Sequence, residues 1–193
     1  MDKKVEHPVQ GGIVEVKFAG YGGQGIIRSG IIVGRAASIY DNKFATMNQS
    51  FGPEARGGAC SSELLVSSNK ILYPYVTKSD IFVAMSQSAY DKFEAELKDN
   101  GILLYDTDMV KPKKNKASIK YYPIPATRFA EELGQRIIAN IVMLGFFTAV
   151  SKVISKESME KTIPESVPSK SVEINLKAFH KGFDYYETLA KSL

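Results

Sequence analysis

The sequence predicts an α/β fold: a single three-layer α/β/α domain with a mostly parallel, Rossmann-like sheet and a helical C-terminal third. Three observations carry this expectation. Ile13 to Arg28 runs from an apolar, strand-like stretch through Gly20, Gly22, Gly23 and Gly25 into a helical pattern. That is the strand–turn–helix opening of a doubly wound domain. Short strand-like runs then alternate with helical patterns, as in chains that build parallel sheets. From Thr127 onward the apolar period is helical. The 193 residues, 44% of them hydrophobic, suit one domain over residues 13–193 behind a flexible lead-in at 1–12.

The elements follow in chain order. After the first strand, a helix is expected from about Gly25 to Tyr40, where Gly30, Gly34 and Ala37 would let it lie close on the sheet. Phe44 to Gln49 reads as a second strand, Ala59 to Val66 as a third, and Lys70 to Tyr73 as a short one stopped by Pro74. Asp80 to Met85 has the pattern of a buried strand. Ser86-Gln87-Ser88 can cap a helix running to about Lys98. Asn100-Gly101 reads as its stop, Ile102 to Tyr105 as a strand, Lys111 to Lys116 as a solvated basic turn, and Ile119 to Tyr122 as a strand before a Pro123-Ile124-Pro125 link. Thr127 to about Ile154 reads as one long core helix with Asn140 as a satisfied buried polar group. Glu157 to Ile163 reads as a short helix. In the last helix, Val172, Leu176, Phe179, Phe183, Tyr186, Ala190 and Leu193 alternate four and three apart. This seam packs either on its own domain or on a partner subunit.

Composition excludes several function classes. The net charge of +4 permits an anionic ligand, but no Arg/Lys stripe with interleaved aromatics supports nucleic-acid binding. Cys60 is the single cysteine, which rules out an intrachain disulfide framework or an all-cysteine cluster built by this chain alone. With His7 and His180 as the two histidines, a His-based metal site or a Ser-His-Asp triad is disfavoured. The N-terminus has no apolar signal region. The most apolar stretch, Ile137 to Val150, is too short to span a membrane. The expected location is cytoplasmic, with no membrane partner.

If the first two strands, Asp80–Met85 and Ile102–Tyr105 are parallel, the loops after them share one edge, where open sheets bind ligands. These loops carry Gly22, Gly23, Gln24 and Gly25, then Arg56, Gly57 and Gly58, then Ser86 and Gln87, and finally Asp106 to Asp108. Glycines let a ligand reach the backbone, a helix start attracts an anion, and a guanidinium fork suits phosphate. The glycine turn either holds a nucleotide-like ligand or only packs helix on strand. A nicotinamide cofactor fits poorly. The acid expected at the end of the second strand is missing: Asp41 precedes that strand, which ends in Asn48, Gln49 and Ser50. No histidine in the cluster serves as a base, and Glu54, Asp106 and Asp108 lie in loops.

Four stretches in order, GYGGQGIIRSG, QSFGPEARGGACSSE, DIFVAMSQSAYDKF and PIPATRFAEELGQRIIANIVMLG, resemble the gamma subunit of 2-oxoacid:ferredoxin oxidoreductases. The wording GPEARGG and AMSQ is most similar to the 2-oxoglutarate type. The resemblance covers about residues 13 to 185. It implies a non-redox subunit associated with coenzyme A access. Thiamine diphosphate would lie in alpha and beta subunits, and iron–sulfur clusters in beta and a ferredoxin-like delta subunit. Electrons would leave to ferredoxin. By motif, Gly22, Gly23, Gln24, Gly25, Arg56, Gly57 and Gly58 are the candidates near coenzyme A, and no residue is expected to be catalytic. Arg28 stands where the pattern suggests an apolar side chain, and its role is open. A pyruvate or branched-chain gamma subunit, a stand-alone Rossmann-like nucleotide binder and a homodimer of the isolated chain are the alternative expectations.

Overall fold

Alternation of side-chain character explains the sheet. In β1 (Val14–Tyr21), Val14, Val16 and Phe18 face one side and join the main core, while Lys17 faces the other. The computed structural model describes residues 12–51, 58–113 and 116–191. The remaining strands are β2 (Phe44–Ser50), β3 (Ala59–Ser67), β4 (Ser79–Ala84), β5 (Leu97–Asp106) and β6 (Lys120–Ile124). They form one sheet in the order β2-β3-β1-β4-β5-β6. β1, β4, β5 and β6 pair in parallel. β3 is antiparallel to both β1 and β2, so β2 runs in the same direction as β1 although it does not touch it.

The helices are α1 (Ile26–Arg35), α2 (Gln87–Phe93), α3 (Ala126–Glu132), α4 (Ala139–Ser151), α5 (Lys156–Ser166) and α6 (Val172–Ala190). The two faces are covered unequally. α1, α3, α4, α5 and α6 share the main core with Val16, Phe18, Leu64 and Val83. α2 covers the other face with Ala89, Tyr90 and Phe93 over Phe82 and Leu103. On that second face Lys17 is 2% exposed. Its ammonium pairs with Glu63 at 2.9 Å and with Glu96, and stands 4.6 Å from the centre of the Phe93 ring. Burial of a charge is tolerable here because both carboxylates and the ring face it.

The α6 seam packs on α4. Phe179 is fully buried, and Leu176, Phe183 and Tyr186 lie against the same core. Gly145 of α4 and Gly182 of α6 make the crossing close, since a Cβ at either would overlap the backbone carbonyl of Phe179 or Val142. Gly30 likewise lets α1 approach β3, where a Cβ would meet Ser62 and Leu64; Gly34 leaves ordinary room. Beyond α1, Ala36 to Tyr40 winds as a wider π-type turn.

Several expectations need correction. Lys70 to Tyr73 is irregular rather than a strand. The segment is tied to β2 by Asn48, whose amide donates to the Pro74 carbonyl at 2.6 Å. The helix after Ser86 ends at Phe93 and a 3₁₀ turn at Glu94–Glu96, well short of Lys98. Asn100-Gly101 lies inside β5, where Asn100 at φ 64° and a register shift kink the strand. Asn-Gly tolerates a left-handed turn in either setting, so the pair alone did not distinguish helix stop from bulge. Pro123 belongs to β6, an edge strand that does not need its N–H on the outer side. The long helix expected over Thr127–Ile154 is broken. α3 ends at Glu132, Gly134 takes φ 86°, and the amides of Gly134 and Gln135 return to the carbonyls of Glu131 and Ala130. This is a Schellman stop. A 3₁₀ turn at Arg136–Ile138 then leads into α4. The lead-in expected at 1–12 falls outside the described residues except for Gly12.

Candidate functional site

α1 lies on the main face and α2 on the other, so the helices leaving β1 and β4 part to opposite sides of the sheet. Between two such strands the carboxyl edge opens into a crevice. A cavity of about 290 Å³ occupies this place, lined by Tyr21, Gly22, Gly23, Gln24, Met85, Thr127, Arg136, Ile137 and Ala139. No carboxylate is among these lining residues.

The turn after β1 is shaped by backbone and one side chain. Gly23 and Gly25 adopt φ 99° and 74°, conformations that side chains with a Cβ rarely take. Gln24 acts as a clamp. Its Oε1 accepts the Tyr21 amide at 2.9 Å and its Nε2 donates to the Met85 carbonyl at 2.7 Å, joining the ends of β1 and β4. Gly22 and Gly23 have nothing within 4 Å of a notional Cβ, so their backbone faces open space. At Gly25 a Cβ would come within 2.5 Å of Asn140 Nδ2, and that amide donates to the Gly25 carbonyl at 3.4 Å. α1 therefore starts without a side-chain cap.

The other wall is set by the end of β5 and the start of α3. Asp106 is fully buried. It accepts the Thr127 amide at 3.0 Å, the Thr127 hydroxyl at 2.5 Å and the Asp108 amide at 3.1 Å. Burial pushes the Asp106 carboxyl above the usual range, against the pull of these donors. Asp108 accepts from the Arg128 amide and pairs with its guanidinium at 2.6 Å. Both acids thus hold the start of α3 and neither opens on the cavity. Arg136 sits at the rim, 61% exposed, its Nη1 3.5 Å from Glu131. Ile137, 70% exposed, stands beside it.

The sequence-predicted residues separate accordingly. Gly22, Gly23 and Gln24 line the cavity, and Gly25 lies under it against Asn140. Gly58 is buried where β3 begins, with Ala59 paired to Tyr21. Arg56 and Gly57 lie outside the described residues, as does Glu54. Ser86 and Gln87 are not among the lining residues. The Ser86 hydroxyl accepts the Ala89 amide as the cap of α2. Gln87 bonds Asp91 and the Lys111 amide. Asp41, discounted as a ribose acid, accepts from the Ser155 amide and the hydroxyls of Ser155 and Ser158, fastening the start of α5. Met85, Thr127, Arg136, Ile137 and Ala139 were not singled out from sequence. Leu133-Gly134 was the readable signal, because a glycine that stops a helix returns the following residues to the sheet edge.

Comparison with known proteins places this geometry among relatives. Residues 15–185 match the family described as pyruvate ferredoxin/flavodoxin oxidoreductase. The chain is 50% identical over 177 residues to the 2-oxoglutarate synthase subunit KorC of Methanocaldococcus jannaschii, covering 91% of this chain and 95% of that one. It superposes with a TM-score of 0.80 and 41% identity on a keto/oxoacid ferredoxin oxidoreductase gamma subunit from Geobacter sulfurreducens, covering 90% of this chain and 95% of that one. It also superposes, with a TM-score of 0.82 and 26% identity, on a Magnetococcus marinus 2-oxoglutarate:ferredoxin oxidoreductase solved with 2-oxoglutarate, coenzyme A and succinyl-CoA bound. That match covers 95% of this chain and 32% of the longer one.

Proposed function

The chain belongs to the pyruvate ferredoxin/flavodoxin oxidoreductase family, and from that premise we propose that it is the gamma subunit of a 2-oxoglutarate:ferredoxin oxidoreductase. The enzyme converts 2-oxoglutarate, coenzyme A and oxidised ferredoxin to succinyl-CoA, carbon dioxide and reduced ferredoxin. The carrying observation is the crevice at the β1/β4 switch point, walled by bare glycine backbone and a rim arginine and free of lining carboxylates. Such a surface accepts an anionic, extended ligand better than it performs acid–base chemistry.

In this reading the chain contributes position rather than reaction. Gly22 and Gly23 let coenzyme A lie against the main chain, Gln24 holds the turn in shape, and Arg136 offers positive charge at the entrance. Arg56, Gly57 and Gly58, which lie between β2 and β3 in the sequence, are proposed to contact the coenzyme A phosphates. The residues suit no cofactor of their own: one cysteine and two histidines cannot hold an iron–sulfur cluster. Thiamine diphosphate and clusters, which supply decarboxylation and electron transfer, are assigned to alpha, beta and delta partners in the cytoplasm. Residues 13–193 are taken as one folding unit.

The test is anaerobic purification of a tagged copy from its own cells. The eluate is assayed for coenzyme-A-dependent reduction of an artificial acceptor with 2-oxoglutarate, pyruvate or a branched-chain 2-oxoacid. Co-purification of partner chains with a preference for 2-oxoglutarate is expected. Preference for another 2-oxoacid would move the chain to a sister enzyme. Recovery of the chain alone and inactive would overturn the subunit reading.

A further inference from the structure

The two edge strands of the sheet are built differently. β6 carries Lys120 and Pro123, whereas β2 reads FATMNQS, with neither a charge nor a proline. Charges and prolines keep an edge from pairing, so β2 is the edge left fit to be covered. Exposed apolar side chains collect beside it. Phe44 lies in β2, Phe51 directly follows it, and Leu72, Tyr73 and Tyr75 belong to the segment fastened to β2 by the Asn48–Pro74 hydrogen bond. Leu72 is 85% exposed and the four aromatic residues about half or more. The rings of Tyr73 and Tyr75 stand 5.4 Å apart. Among the described residues, every exposed phenylalanine and tyrosine is in this strip.

Size, charge and the relatives indicate what covers it. At about 150–250 Å² for a large aromatic, the five side chains leave roughly 500 Å² open to water, against about 800 Å² that each partner gives to a standard interface. No acidic residue lies between Glu63 and Asp80, while Lys70 and Lys78 bracket the segment and are exposed. Two copies of this chain meeting face to face would set lysine against lysine, whereas a face with carboxylates at its rim would be attracted. The Magnetococcus marinus chain holds a match to this one within 32% of its length, while the Methanocaldococcus jannaschii subunit consists of it over 95%. Such a domain thus occurs both joined to a large remainder and by itself. A separate subunit must hold by surface contacts what a joined one holds through the chain.

We propose that the β2 edge, with Phe44, Phe51, Leu72, Tyr73 and Tyr75 as anchors, docks on the subunit equivalent to the remainder of that longer relative. The fitting face is apolar, with pockets for a leucine and for aromatic rings, and has carboxylates at its rim opposite Lys70 and Lys78. Protruding leucine and paired tyrosines fill such pockets at a small cost in side-chain freedom. The identity of the partner rests on the gamma-subunit function proposed above. None of the five anchors lines the cavity at the β1/β4 crevice, so their loss acts on assembly and not on the cavity itself.

The test uses the tagged full chain, purified anaerobically from its own cells, unsubstituted and as Leu72→Glu, Tyr75→Glu and the two together. Mass spectrometry measures how much of the chain matching the longer relative's remainder is recovered per copy of this one. Recovery is expected to fall about ten-fold or more in the double variant. The melting temperature of the isolated variants should be unchanged, since both positions are exposed. Lys70→Glu with Lys78→Glu should weaken recovery as well, more at low salt than at high salt. Equal recovery by the unsubstituted chain and every variant would overturn the docking strip and leave the gamma-subunit reading standing. If the isolated chain is then a dimer in sedimentation that Leu72→Glu splits, the strip belongs to a second copy. If the unsubstituted chain brings down no such subunit, the gamma-subunit reading and this proposal fall together.

Discussion

Replacing Gly22, Gly23 and Gly25 one at a time by alanine separates structure from ligand binding in one turn. At Gly25 the left-handed backbone, φ 74° and ψ 21°, costs an alanine about 1–2 kcal/mol. The new methyl also lands 2.5 Å from Asn140 Nδ2 and 2.8 Å from its Cγ. Asn140 is 5% exposed and cannot swing away, so overpacking adds about 1–3 kcal/mol. Gly25→Ala should therefore lose about 2–5 kcal/mol in urea denaturation of the purified chain. Adding Asn140→Ala should return the overpacking share, a coupling of about 1–3 kcal/mol. Gly23→Ala meets no atom within 4 Å and carries only the strain of φ 99°, about 1–2 kcal/mol. Gly22→Ala has neither burden and should stay within about 0.5 kcal/mol of wild type. Yet its methyl enters the cavity, so the assembled enzyme should show a raised KM for coenzyme A. A Gly25→Ala chain as stable as wild type would refute the turn geometry. A Gly22→Ala enzyme with unchanged coenzyme A kinetics would refute ligand contact at the glycine loop.

Other outcomes follow from particular contacts. Gly182→Ala should destabilise by about 3 kcal/mol or more, because its methyl meets the Val142 carbonyl of α4 rather than a movable side chain; a near-neutral result in thermal melts would disprove the close α4–α6 crossing. Lys17→Met leaves Glu63 and Glu96 facing each other and should cost about 2–3 kcal/mol, less than a fully buried pair because Glu96 is 42% exposed; Lys17→Met with Glu63→Gln should recover part of it. Burial raises the Asp41 carboxyl, but the hydroxyls of Ser158 and Ser155 and the Ser155 amide outweigh it and hold its pKa below the ordinary 3.8. Its stabilising share is present above about pH 4 and is lost as pH falls through the lower folded value, so Asp41→Asn should flatten the acid limb of stability against pH; an unchanged limb would remove Asp41 as its source. Arg56→Ala should raise the KM for coenzyme A by about ten- to 150-fold if it makes one charge-assisted phosphate contact; no change would free it of that role.

The residues that a sequence can speak for are those whose role is decided within a turn or two of chain. Val14, Val16 and Phe18 announce a strand, Gly20 to Gly25 a turn into a helix, and the spacing from Leu176 to Tyr186 a helix with one buried stripe, because period reports burial directly. The four motif stretches also carried the family. What local pattern cannot carry is the identity of the neighbour. β3 enters between β1 and β2, Asp41 is spent on α5 across 114 residues, and Gln24 ties two strand ends together. The gathering of Arg28, Asn140 and Asn175 around one space depends on three helices breaking at the right points, which only packing against a common sheet brings about. One-dimensional periodicity records which side of an element is buried; which atoms it meets there is decided when distant elements close on each other and every buried polar group must find a partner.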